Sequence, residues 1–99
     1  MIAHTDQQGC MRYLLDGAFL IAQFSECLEP KSLADLATAK DSVGKGALRT
    51  AELHLKEVLS ATDDGNEYHD DPLVQAVRNV SRHVLIYTMA EGPAQAAKT

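Results

Sequence analysis

The amino-acid sequence predicts an all-α fold, and three observations carry that prediction. Aromatic residues make up only 5% of the chain while alanine and leucine are abundant, a balance that favours helices over strands. Apolar residues recur three and four positions apart, the period of a helix that buries one face. The pattern breaks at Pro30, across the polar run 61–71 and at Gly92-Pro93, residue types that begin and end helices. The expected architecture is a three-helix antiparallel bundle with a long second helix, assembling as a helical homodimer. A chain of 99 residues makes one domain, read here as 1–92 with a disordered tail over 93–99.

The first helix is expected over 6–29. Thr5 and Gln8 have the spacing of a capping box, and Pro30 disfavours helical geometry in the residue before it. Its polar positions Arg12, Asp16, Gln23 and Glu26 form one narrow stripe, interrupted by Phe19, and most other positions are apolar. A surface helix needs an apolar face of roughly 100° to reach a core. This helix has far more, and two further helices cover only one side of it. Phe19, Leu20 and Phe24 are therefore expected at the interface with a second copy.

Ser32 is the expected N-cap of a second helix over 33–60. Leu33, Leu36, Val43, Ala47, Ala51, Leu55 and Val58 repeat with helical spacing, in phase across Gly44-Lys45-Gly46. That continuity predicts one long helix, although its two glycines together cost about 2 kcal/mol of propensity and permit a kink. Such a helix is about 42 Å long, against a diameter of about 33 Å for a compact domain of this size, which again implies a partner. After the loop, Asp71 supplies an N-cap and Pro72 the first position of a third helix, expected over 72–91 with Leu73, Val77, Val80, Val84 and Tyr87 inward and Gly92-Pro93 as its stop.

The formal charge of −5 disfavours sequence-independent binding to nucleic-acid phosphates. Cys10 and Cys27, about 25 Å apart along one helix, cannot bridge each other within it. Reduced thiols and a cytoplasmic protein are expected. The opening residues lack a basic segment followed by an apolar one, and Asp16 interrupts the most apolar stretch, so neither secretion nor a membrane span is expected.

The sequence holds no dinucleotide or Walker phosphate loop, no nucleophile elbow and no zinc-ligand spacing. No Glu-x-x-His pair of the di-iron kind occurs. Asp63, Asp64, Glu67, His69, Asp70 and Asp71 gather hard ligands, but Gly65 stands third from Asp63 where a calcium loop needs glycine sixth. His54 and Glu57, three apart, have the spacing of two ligands or an acid–base pair. Lys45 between glycines has Asp41 at i−4 as a ready partner. No metal or cofactor is expected.

One motif has catalytic form. The run Arg78-Asn79-Val80-Ser81-Arg82-His83, with Tyr87 beyond it, resembles the Arg-Asn-x-x-x-His signature of the HEPN ribonuclease superfamily. The resemblance implies that Arg78, Asn79 and His83 of two copies meet across a homodimer and act on RNA without a metal. Domains of that superfamily usually have four or more helices, against three read here unless the second breaks at Gly44. The leading expectation remains a non-enzymatic module that dimerises and binds a larger protein partner as an anti-activator, inhibitor or adaptor, with the RNA-cleaving reading as the alternative.

Overall fold

The structure is a computed structural model that describes the backbone of residues 4–98 and the side chains of residues 7–92. The described residues are all-helical: α1 (His4–Phe24), α2 (Pro30–Gly44), α3 (Leu48–Ala61) and α4 (Pro72–Lys98). Packing joins α1 to α2 and α4, and α3 to the same two helices, so the four form a ring around one core. The short links make neighbours antiparallel. Thus Asp16 on α1 reaches Lys40 late in α2, and Asp35 early in α2 reaches His54 midway along α3.

The expected long second helix is two helices. Gly46 holds φ 77°, a left-handed conformation that costs a residue with a Cβ about 1–2 kcal/mol. The chain reverses there with its carbonyls satisfied: Gly46 N–H donates to Val43 O at 3.1 Å and Ala47 N–H to Ser42 O at 2.8 Å, the paired bonds of a Schellman turn. Restarting after the turn changes one core position and leaves Ala51, Leu55 and Val58 inward as expected. Ala47, expected inward, is exposed, and Leu48 takes the buried place. The 42 Å helix that implied a partner does not exist, because α3 folds back along α2.

Two further boundaries differ. The first helix stops at Phe24 rather than residue 29, because Ser25 Oγ accepts the Cys27 N–H at 3.2 Å, a local bond that competes with helix continuation. Pro30 then opens α2 instead of Ser32 capping it, with Glu29 extended before it, since proline suits a first helical position where no N–H is needed. The Thr5 side chain of the expected capping box lies outside the described residues.

Asp71 caps α4 as expected, accepting the N–H groups of Leu73 and Val74 at 3.0 and 3.1 Å. The helix does not stop at Gly92-Pro93 but runs on to Lys98. Gly92 is buried where α4 meets the start of α3, and a Cβ there would sit 3.8 Å from Leu48 and Arg49. That distance is ordinary van der Waals contact, so the crossing of α4 and α3 does not depend on glycine here. Proline's fixed φ of about −65° is itself helical, so the residue type withholds one N–H without reversing a chain. No described helix is long and apolar enough to cross a membrane.

The core contains Leu15, Ala18, Ala22, Leu36, Val43, Leu55, Val58, Val74, Val77 and Val84 among others. On α4 its centre lies one residue from the expected stripe: Leu73 is exposed, Val74 is buried, and Ser81 and Thr88 occupy interior positions. Two substitutions check this arrangement by chemical denaturation. Gly46→Ala is expected to cost about 1–2 kcal/mol. Val43→Asp, which buries an unpaired carboxylate, should cost more than about 3 kcal/mol, whereas Ala47→Asp should change stability by less than about 0.5 kcal/mol.

Candidate functional site

The outer side of α1 is the most exposed apolar surface of the described molecule. Tyr13 is 80% exposed, Leu20 57% and Phe24 81%, and their spacing of seven and four residues puts them on one helical face. Leu15, Ala18 and Ala22 occupy the opposite face in the core. One helix thus carries two apolar faces, and α2 and α4 cover only the inner one. Between Tyr13 and Leu20 stands Gly17, where a Cβ would meet nothing within 4 Å, leaving a notch in the face.

That notch belongs to an open groove of about 500 Å³ lined by Tyr13, Asp16, Gly17, Phe19, Leu20 and Lys40. Lys40 reaches over from α2, its Nζ 4.9 Å from the centre of the Phe19 ring and 3.4 Å from Asp16 Oδ1. The ammonium neutralises the one carboxylate in the groove and lies over an aromatic face, which also attracts it. Phe19 is half-buried and forms the groove wall. Of the three residues expected at an interface, Leu20 and Phe24 are the prominent ones, and Tyr13 joins them. Its signal lies in the sequence, seven positions before Leu20.

The residues of the Arg-Asn-x-x-x-His motif are not brought together within one chain. Arg78 points inward: its Nη1 donates to Leu59 O at 2.8 Å and to Thr62 Oγ1 at 2.9 Å. Thr62 Oγ1 in turn donates to Val58 O at 2.8 Å. The guanidinium therefore closes the C-terminal end of α3, where carbonyls otherwise lack partners. Asn79 and His83 are exposed. Five positions turn a helix through about 140°, so Arg78 and His83 face different surroundings. Next to this anchor, His69 Nδ1 lies 2.9 Å from Thr62 O, and Gln75 Nε2 donates to His69 O at 2.6 Å. The polar loop is thereby tied to both helices it joins.

A second polar cluster, between α2 and α3, was hidden in the sequence. His54 does not work with Glu57: its Nδ1 bonds Asp35 Oδ1 at 2.8 Å, and Lys31 Nζ donates to Asp35 Oδ2 at 2.9 Å while standing 3.6 Å from Glu57. Asp35 is buried. Burial pushes its carboxyl group up, but the hydrogen bonds from His54 and Lys31 outweigh that and hold it below the ordinary value of 3.8. The cluster ties α2 to α3 through residues 19 positions apart in sequence. No family model, curated protein or solved structure matches the chain.

A carboxylate whose folded pKa is lowered stabilises the fold above its unfolded value and loses that contribution as the pH falls through the folded one. Asp35→Asn is therefore expected to cost about 1.5–3 kcal/mol near neutral pH. The denaturation midpoint of the variant should also fall less steeply than that of the parent below about pH 4. Parallel pH dependences of the two midpoints would remove Asp35 from the acid-sensitive set.

Proposed function

We propose that the protein is a non-enzymatic interaction module that dimerises through the outer face of α1 and binds and modulates a larger protein partner. The observation that carries this reading is the second apolar face of α1. Soluble monomers rarely expose contiguous apolar patches beyond a few hundred Å². Tyr13, Leu20 and Phe24 alone expose on the order of 400 Å² of side chain per copy. With their flanks, two such faces approach the roughly 1,000 Å² that a specific interface needs.

The chemistry of the face suits self-association. Its centre is uncharged, Asp16 at its edge is already paired with Lys40, and the Gly17 notch lies between protruding side chains, so the surface offers both knobs and a hole to its own copy. Substituting one residue tests this. The parent is expected to scatter light as a dimer of the 10.7 kDa chain, and Phe24→Asp as a folded monomer with an unchanged helical circular-dichroism spectrum. A parent that stays monomeric and folded at micromolar concentration defeats the proposal.

The alternative, an RNA-cleaving protein of the HEPN kind, draws on one observation: the break at Gly46 raises the helix count to four. RNA cleavage separates the two readings. Arg78→Ala should cost about 2–3 kcal/mol under either one, through the partners left unbonded, so exposed His83 is the deciding position. The parent is expected not to cleave RNA in the presence of a metal chelator; under the alternative it does, and His83→Ala stays as stable as the parent and loses such cleavage.

A further inference from the structure

We infer that a second copy of the chain docks antiparallel on the outer face of α1, Leu20 of each copy filling the notch at Gly17 of the other and Tyr13 packing against Phe24. This rests on the reading of the protein as a dimerising module and assigns the dimer its orientation and register. Cys10, Tyr13, Gly17, Leu20 and Phe24 alternate three and four positions apart, the roughly 3.5-residue repeat with which one helix meets another. All but Gly17 are exposed. One groove joins Tyr13, Gly17 and Leu20, and Phe24 stands one turn beyond Leu20 on the same face.

The alternation of size along this stripe selects the arrangement. Set antiparallel with Gly17 opposite Leu20 of the second copy, the stripe twice pairs its smallest member with a protruding one, and twice pairs Tyr13 with Phe24. Leu20 then enters the groove against the Phe19 wall and the aliphatic stem of Lys40, and the paired aromatic rings leave water together. Sliding one copy by seven residues either sets Phe24 opposite Asp6 or carries Tyr13 past the end of α1. A parallel dimer in register sets Gly17 against Gly17 and leaves a void between the Tyr13 and Leu20 layers, which forfeits packing. The antiparallel order also lays the positive end of each α1 dipole beside the negative end of the other.

The charges nearby do not oppose this order. Among the described side chains of α1 only Arg12 and Asp16 are charged. Arg12 lies toward α2, against Gly44, and Asp16 is held by Lys40 at 3.4 Å on the rim of the groove. The stripe itself is uncharged, so a phosphate or an acidic peptide finds no free cation along it, whereas an apolar helix of the same period covers it whole.

The test mixes two variants, Tyr13→Glu and Phe24→Lys, both at exposed positions and each expected to keep its helical circular-dichroism spectrum. Alone, each should show a dimer Kd at least tenfold above that of the parent in sedimentation. Mixed, they should recover at least tenfold as a heterodimer, which native mass spectrometry distinguishes by mass. In the antiparallel register the introduced carboxylate faces the introduced ammonium in one layer while native Phe24 faces native Tyr13 in the other; a parallel dimer makes neither pair. A nitroxide on Cys10 in Cys27→Ser should give a distance of about 25–30 Å between copies. A parent dimer whose variants gain nothing on mixing, or a spin–spin distance below about 20 Å or above about 35 Å, overturns the inference and leaves dimerisation through α1 standing. Variants that dimerise as tightly as the parent, or a parent that is monomeric, overturn both and free the face for a different protein.

Discussion

The ring of four helices depends on the reversal at Gly46. Its left-handed φ lets the Ala47 and Gly46 N–H groups turn back onto Ser42 and Val43, so the end of α2 needs no side-chain cap. Without the reversal, residues 30–61 would extend past any core that 99 residues can build. With it, α3 lies along α2 and gives α4 a neighbour on its second side. The inner face of every helix is then covered from within the chain. Self-coverage is also what isolates the outer face of α1, because no further helix among the described residues remains to shield it.

The two polar clusters act as fasteners between helices that are otherwise joined by aliphatic contacts. Asp35, bonded by His54 and Lys31, locks α2 to α3. Arg78, bonded to the end of α3, locks α3 to α4. Both place a charged group in a buried position, which is tolerated only when partners satisfy it. Arg78 also leaves its Nε without a partner, as is Ser81 Oγ one turn further along the same buried face. These unsatisfied atoms oppose folding by about 1–3 kcal/mol each. The aliphatic packing around Val77, Val84 and Leu55 outweighs them.

Much of the fold was legible because it rests on local chemistry. Asp71 and Pro72 announce the start of α4 through capping geometry alone, and the doubly apolar character of α1 follows from counting side chains around a helix. The break in the second helix was written in Gly46, yet apolar periodicity hid it. A reversal that omits only residues 45–47 from the helices replaces one core position, Ala47, by Leu48 and keeps Ala51, Leu55 and Val58 inward. The pairing of His54 with Asp35 and the inward turn of Arg78 join residues 16–19 positions apart in sequence, contacts that spacing along one helix cannot express. Tyr13 was overlooked for a different reason. Its phenolic oxygen makes it read as amphipathic, although its ring supplies as much apolar area as phenylalanine.

The Arg78 anchor has a consequence for how freely the chain can vary. Its first acceptor is the main-chain oxygen of residue 59, which every amino acid provides, so the identity of the side chain at 59 is not dictated by this bond. Its second acceptor is a hydroxyl, which confines position 62 to residues whose side chain carries an acceptor oxygen. Mutational drift at the end of α3 is therefore asymmetric: permissive three residues before the junction, restricted at it. The same asymmetry lets α3 exchange surface residues without loosening its grip on α4.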